Sequence, residues 1–146
     1  MVSTNKSGFS LMELLVAIAI LGIIAGVGIP AFMNYLKKAR VKRAEGDLRL
    51  LKNQIDMFKM DTGKYPSKLI YLVKRPRDPK IAKKWLGGVI PKKGKGGYLP
   101  KLPVDPWGNA YQYKPVPDKD NDYTLFSYGS EGKRSRKGRI NAWDIE

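Results

Sequence analysis

The chain has 146 residues and a formal net charge of +15 at pH 7, with no cysteine and no histidine. The lack of cysteine excludes a domain held by disulfides, and the lack of histidine removes the commonest general base and metal ligand. A nucleophile–base pair is then hard to assemble, so an enzyme is the least expected class and a structural or binding protein is favoured.

The chain begins with a short polar leader that is followed by a long apolar segment. Residues 14–33 carry no ionisable side chain, and about 20 apolar residues are enough to cross a bilayer as a helix. Glu13 stands at the edge of this segment, where an unpaired carboxylate is unfavourable and therefore indicates a function. The sequence predicts a membrane-spanning helix with one functional carboxylate.

Gly8, Phe9 and Glu13, together with the apolar segment and Pro30, resemble the N-terminus of a type IV pilin-like protein. The resemblance implies that a prepilin peptidase removes residues 1–8 by cutting between Gly8 and Phe9, and that Phe9 is then N-methylated. An ordinary secretory signal fits less well, since its small-residue cleavage site follows the apolar region. The remaining alternative is a plain membrane anchor.

Cleavage would leave a free amine on Phe9, one helical turn from Glu13. A carboxylate in an apolar span loses much of its cost when a cation pairs with it. An amine from the next subunit provides that cation only when the helices stack with one axial offset. Phe9 and Glu13 are therefore expected to set the register of a homopolymer, the alternative being a carboxylate that simply lies at headgroup depth.

One long helix is predicted from Phe9 to about Met60, with residues 9–33 as its membrane and assembly half. Four residues weaken the middle of this half, because glycine lowers helix propensity and proline removes a backbone donor. They are Gly22, Gly26, Gly28 and Pro30. A bend or a locally melted segment is expected there, with a mild kink as the alternative.

Beyond residue 33 the pattern becomes amphipathic. Apolar residues recur at spacings of four and three, which makes one stripe along a helix. The stripe consists of Ala44, Leu48, Leu51, Ile55 and Phe58. It is expected to pack on a sheet, and residues 34–146 are expected to form one globular domain.

Short helices are predicted after the long one. Glycine and proline in residues 61–66 are expected to stop the first helix. Ser67 is predicted to cap a short helix. Asp78 is predicted to cap another, which ends at Gly87 and Gly88.

The C-terminal third is predicted to form strands. Residues 110–114 and 123–128 are rich in strand formers, and residues 139–143 are a candidate third strand. The expected fold class is α+β, a pilin-like fold in which one long helix packs on a small antiparallel sheet.

Four further segments resemble the major pseudopilin family of type II secretion systems. They are residues 61–66, 102–109, 111–113 and 127–129. The resemblance implies a structural subunit of a periplasmic filament, the pseudopilus, which helps to export folded proteins across the outer membrane. It also implies a single-pass protein of the bacterial inner membrane whose globular domain lies in the periplasm. The implied partners are further copies of the chain, minor pseudopilins, the inner-membrane assembly platform and prepilin peptidase.

The orientation has one opposing signal. Five cations lie between residues 37 and 43, and the positive-inside rule places such a cluster on the cytoplasmic side. The leader indicates the opposite orientation, and its more specific pattern is given precedence.

The resemblance also concerns metal binding, because this pseudopilin family holds a calcium ion in its last loop. Spacing to Trp143 aligns the family's acidic positions with Glu131, Gly138 and Arg139, so one carboxylate is kept and two are replaced. Calcium takes about six to eight oxygen ligands, and neighbouring cations oppose it. No metal or other cofactor is expected there, and a salt bridge from Arg139 is the expected substitute.

Several alternatives stay open from the sequence. Asp118, Asp120 and Asp122 form either a calcium site or an acidic hairpin turn. The filament could instead be a surface pilus for adhesion or motility, or a DNA-uptake pilin that uses its positive charge and interleaved aromatic residues. Scattered lysines that keep a polymerising domain soluble are the favoured interpretation of the charge, so nucleic acid is not an expected partner.

Overall fold

The computed structural model describes residues 8–85, 97–116 and 122–145. The chain forms two structural units, one ending at Ala39 and the other beginning at Arg40. The boundary lies inside helix α1, which spans Leu11–Thr62. The predicted long helix is therefore confirmed, within two residues at each end.

In the first unit, the apolar side chains of α1 are exposed as far as residue 35. Every residue from 8 to 35 is exposed, including Ile23 at 72% and Val27 at 74%. Within the described part of the chain, α1 is the one helix long and apolar enough to cross a membrane. Between residues 8 and 35, the described part of this unit does not bury its own apolar side chains.

The helix runs without interruption through the segment predicted to break. Gly22, Gly26, Gly28 and Pro30 all lie inside α1, so the locally melted segment is absent from the isolated chain. The reason is that a proline removes one helical hydrogen bond but leaves the turns on either side of it intact.

In the second unit the predicted stripe of α1 is the centre of the core. Ala44, Leu48, Leu51 and Ile55 are 0% exposed and Phe58 is 1% exposed. The Thr62 hydroxyl donates to the Phe58 carbonyl oxygen at 2.7 Å. Gly63 then adopts a positive φ of 79°, the conformation that commonly ends a helix. The stripe and the helix end are confirmed.

The described residues after α1 include three short helical elements, the last of which is the 3-10 helix Gly129–Arg134. The 3-10 helix Leu69–Leu72 begins after Lys68 and has no side-chain cap, so the prediction that Ser67 caps it is wrong. Asp78 does cap α2, which spans Pro79–Lys84, because its carboxylate accepts from the Lys80 amide at 2.9 Å. The end predicted at Gly87 and Gly88 lies outside the described residues.

The sheet has three antiparallel strands in the order β1-β2-β3. They are β1 Gln112–Lys114, β2 Thr124–Ser127 and β3 Ile140–Asn141. Tyr113 pairs with Leu125, and Ser127 pairs with Ile140. Leu125 belongs to one buried cluster with the stripe residues Leu48, Leu51, Ile55 and Phe58. The predicted α+β fold is confirmed, with strands shorter than expected.

Candidate functional site

The start of α1 is held by reciprocal hydrogen bonds between Ser10 and Glu13. The Ser10 amide donates to Glu13 Oε2 at 2.9 Å, and the Glu13 amide donates to Ser10 Oγ at 3.2 Å. This is a capping box, which satisfies two of the amides that a helix N-terminus leaves unpaired. The Ser-x-x-Glu spacing was its signal in the sequence, but Glu13 was interpreted there only as a contact between subunits.

The capping box occupies one oxygen of the Glu13 carboxylate. Within the described residues, Glu13 Oε1 has no hydrogen-bond partner. The carboxylate is therefore oriented by its own helix while one oxygen remains available to a cation. That geometry permits the contact between subunits that the sequence predicts.

The predicted cleavage position lies next to this capping box. Gly8 and Phe9 are exposed and precede α1, and Phe9 is 80% exposed. A side chain at Gly8 would meet nothing within 4 Å, and its backbone does not have a positive φ. Among the described residues, no contact of the fold requires glycine at position 8.

In a second candidate region, Asp105 is 2% exposed. It connects residues 102–109 to the C-terminal loop, which follows β2. Asp105 Oδ1 accepts from the amides of Trp107 and Asn109 at 3.1 and 2.7 Å. Its Oδ2 accepts from the Ser127 hydroxyl at 2.7 Å, and that hydroxyl accepts from the Gly129 amide at 3.0 Å. One buried carboxylate thus connects two loops and strand β2, a role that was not identified from the sequence.

Gly129 allows the two ends of the segment between β2 and β3 to approach each other closely. Its φ is 69°, and a Cβ at this position would lie 1.9 Å from the Gly138 carbonyl oxygen. A larger residue is excluded both by the backbone conformation and by the close approach. Gly138 in turn packs against Glu131, since a Cβ on Gly138 would lie 3.4 Å from Glu131 Cγ.

Among the described residues, Arg139 contacts aromatic rings and forms no salt bridge. Its guanidinium lies over the ring of Phe126, 4.8 Å from the centroid, and 5.4 Å from the Tyr128 centroid. No carboxylate of the described residues pairs with this side chain, because the residues that lie against it are the aromatic Phe126 and Tyr128. Cation–π contacts of this kind stabilise the loop modestly, by about 0.5–1 kcal/mol at exposed sites.

Of the three acidic positions that the resemblance implies for calcium, the described C-terminal residues keep one. Among the described residues, no group of three or more acidic side chains could hold a metal ion. Glu131 is exposed, and the positions of the family's acidic pair carry Gly138 and Arg139. Of the alternative cluster, Asp118 and Asp120 lie outside the described residues.

We expect calcium to leave the stability of this protein unchanged, because one carboxylate beside an arginine cannot supply the oxygens that the ion needs. The measurement is the thermal unfolding of the full chain in detergent micelles, with added calcium and with a chelator. A rise in the unfolding temperature with micromolar to millimolar calcium would contradict the expectation. A metal-free site would give two superimposable curves.

Asp122 is already engaged within the chain. Its Oδ2 accepts from the Tyr65 hydroxyl at 2.8 Å and from Lys59 Nζ at 3.4 Å. The hydrogen bond from Tyr65, then that from Lys59, lowers the pKa of the Asp122 carboxyl. This contact joins α1 to the start of β2, which favours a structural role for Asp122.

The hydroxyl groups of two tyrosines hold strand β1 and the residue before it. The buried Tyr111 bonds to α1, and the half-buried Tyr113 bonds to the segment after α1. The Tyr111 hydroxyl donates to Asp47 Oδ2 at 2.9 Å, and the Tyr113 hydroxyl donates to the Pro66 carbonyl oxygen at 2.7 Å. Burial, followed by the bond to Asp47, raises the pKa of Tyr111 well above its ordinary value of 10.0. The neutral phenol is thus the form that the fold accommodates.

We expect stability to fall at alkaline pH partly because of Tyr111. Because the pKa of Tyr111 is raised in the folded chain, the stability that its neutral phenol contributes is fully present below pH 10 and is lost as the pH rises above it. The measurement is the unfolding free energy of the full chain and of Tyr111→Phe between neutral pH and about pH 11. Tyr111→Phe should lose less unfolding free energy over that pH interval than the unaltered chain does. Equal slopes of unfolding free energy against pH would contradict the role assigned to Tyr111.

Comparison with known proteins gives one consistent result. The family model for type II secretion system (T2SS) protein G matches residues 31–145, and the prokaryotic N-terminal methylation motif matches residues 3–29. The chain is 39% identical to the type II secretion system core protein G of Pseudomonas aeruginosa, over 96% of each chain. It is 35% identical to that of Vibrio cholerae, over 97% of this chain and 94% of the relative.

A solved structure has the same fold. The chain is similar to the crystal structure of the major pseudopilin from the type 2 secretion system of enterohaemorrhagic Escherichia coli, with a TM-score of 0.58 and 30% identity. The match covers 76% of this chain and 92% of that one.

Proposed function

This chain belongs to the type II secretion system protein G family, the major pseudopilins, which are structural subunits and not enzymes. We propose that it polymerises through α1 into a periplasmic pseudopilus that drives export of folded proteins. The observation that carries the proposal is the completely exposed apolar half of α1, which begins at the Ser10–Glu13 capping box. Such a surface is stable only in a membrane or against other helices.

The first step is processing and insertion. Prepilin peptidase removes residues 1–8 between Gly8 and Phe9, and Phe9 is then N-methylated. Residues 9–33 anchor the chain in the bacterial inner membrane in a single pass, and residues 34–146 lie in the periplasm. The match to the methylation motif over residues 3–29 supports this step.

Register between subunits depends on Glu13. The Ser10 amide orients the Glu13 carboxylate, and Glu13 Oε1 accepts a hydrogen bond from the Phe9 amine of the next subunit. Pairing a charge in an apolar environment removes most of the cost of placing it there. Subunits that slip along the axis leave both charges unpaired, so one axial offset is favoured.

The glycines of α1 favour close helix packing. A side chain at Gly22, Gly26 or Gly28 would meet nothing within 4 Å in this chain. Small residues at such positions let the backbones of neighbouring helices approach closely. We retain the predicted break at these glycines and Pro30 as a feature of the packed filament, where neighbouring helices can satisfy the freed backbone groups.

Assembly involves further components. The pseudopilus would grow from an inner-membrane assembly platform and begin on minor pseudopilins, with this chain as the repeating subunit. The relatives from Pseudomonas aeruginosa, Vibrio cholerae and Escherichia coli are secretion-system subunits, which favours export over the adhesion, motility and DNA-uptake alternatives. No metal or other cofactor is part of the proposal.

The test uses a strain that lacks this chain. Proteins in the culture medium are compared with those retained in the periplasm, before and after the full chain is restored. The proposal expects folded exported proteins to accumulate in the periplasm and the restored chain to release them. Normal secretion together with the loss of surface fibres or of DNA uptake would contradict it and favour a rival filament.

A further inference from the structure

A cleft of 490 Å³ lies beside β2 and β3 in the second unit. Its walls include the aromatic residues Tyr123, Phe126 and Trp143, and its cations are Arg136 and Arg139. The Trp143 indole N–H donates to the Tyr123 carbonyl oxygen at 3.1 Å, which fixes the ring that forms one wall. The cleft is therefore partly preformed and not merely a gap between mobile side chains.

The two arginines can bind anions. Arg139 lies against Phe126 and Tyr128, and a guanidinium in such a cation–π contact keeps N–H groups that can donate. Both arginines are exposed, and neither side chain has a hydrogen-bond acceptor within the described residues. A guanidinium fork of this kind matches a carboxylate through two parallel hydrogen bonds.

The surroundings of the cleft strengthen its positive charge. Lys52 Nζ lies 4.0 Å from the centroid of the Trp143 ring. Asp144 is the one carboxylate among the lining residues, and Thr124 and Asn141 add neutral polar groups. Two lining arginines and a nearby lysine thus oppose one acidic group.

A second copy of the chain is a poor source of the anion. The chain has 13 acidic residues against 28 basic ones, and many carboxylates of the second unit are already bound internally. These are Glu45 with Lys42, Asp47 with Tyr111, Asp61 with Tyr98, Asp78 with the α2 amide, Asp105 with Ser127, and Asp122 with Tyr65. Charge complementarity favours a different molecule.

We propose that this cleft binds the carboxylates of an acidic segment of another protein. The acidic side chains pair with Arg136 and Arg139, and their aliphatic parts contact the aromatic walls. This interaction goes beyond assembly through α1 and does not depend on it. A subunit could therefore lose this binding and still polymerise.

The test measures binding of a fluorescein-labelled hexaglutamate peptide to the full chain in detergent micelles, by fluorescence anisotropy at about 150 mM salt. Arg136→Gln is the primary variant, because Arg136 is exposed and has no ring contact among the described residues. We expect it to weaken binding about tenfold, and Arg136→Gln/Arg139→Gln to remove it. Arg139→Lys keeps the charge and loses the fork, so it should also weaken binding.

The matched controls are Lys101→Gln and Lys68→Gln/Lys101→Gln, which remove the same charge from exposed positions outside the cleft lining. They should change the affinity less than twofold. Equal weakening by the controls, or no peptide binding at all, would overturn the proposal. Binding of an oligonucleotide of equal charge through the same arginines, without binding of the peptide, would assign the cleft to nucleic acid instead.

Discussion

Glu13→Ala is expected to abolish assembly of this chain and, with it, the export that depends on the filament. Removing one partner of an ion pair in a low-dielectric environment leaves the other charge uncompensated, which costs about 3–5 kcal/mol. Each 1.4 kcal/mol is about a tenfold change in an equilibrium constant. The equilibrium for adding a subunit should therefore fall by at least about a hundredfold. The measurements are the yield of filaments sheared from cells and the fraction of exported protein in the medium.

Two further variants separate the roles of Glu13. Glu13→Gln retains an oxygen for the Ser10 amide, since glutamine also serves in a capping box, but it loses the charge. Ser10→Ala keeps the charge and removes one hydrogen bond of the cap, which costs about 1 kcal/mol. We expect Glu13→Gln to fail almost as completely as Glu13→Ala, and Ser10→Ala to assemble at a reduced level. Normal assembly by Glu13→Gln would show that the charge does not set the register.

Asp105→Ala is expected to destabilise the second unit more than alanine at Ser127 or at Asp144 does. The change leaves the Trp107 amide, the Asn109 amide and the Ser127 hydroxyl without their acceptor. A buried donor left unsatisfied costs about 1–3 kcal/mol. The Ser127 hydroxyl is buried and the two amides are partly buried, so the unfolding free energy should fall by about 3 kcal/mol. Denaturant unfolding of the full chain in detergent micelles measures the difference.

Three other variants calibrate this result. Asp105→Asn keeps one oxygen acceptor and should cost less than Asp105→Ala, and Ser127→Ala, which removes one donor and one acceptor, should cost about 1–2 kcal/mol. Asp144→Ala removes an exposed carboxylate and should change stability by less than about 0.5 kcal/mol. If Asp105→Ala were no more destabilising than Asp144→Ala, the network would not hold the loops together.

The sequence predicted those features that depend on local chemistry. The α1 stripe follows from spacing alone, and the Asp78 cap follows from a carboxylate one residue before Pro79. The Ser67 cap failed although the residue type was suitable, because the helix there is a single 3-10 turn that begins one residue later than expected. Local rules identified the elements better than their ends.

The features that the sequence did not predict depend on residues far apart in the chain. Asp105 looks like an ordinary turn residue until the fold brings Ser127, 22 positions away, to its second oxygen. Arg139 was expected to pair with a carboxylate, but the pairing of β2 with β3 places it against Phe126 of β2 and Tyr128, the residue after β2. No spacing in the sequence carries that information.

The central claim, that subunits assemble through α1 with one axial offset, is best tested by disulfide cross-linking. The chain contains no cysteine, so pairs of cysteines introduced at exposed positions between residues 11 and 33 report only on each other. With one cysteine fixed at Val16 and the second moved along the helix, we expect ladders of multimers at a narrow set of offsets. The same ladders should disappear in the Glu13→Ala background. Monomers at every offset, or equal cross-linking at all offsets, would contradict the claim.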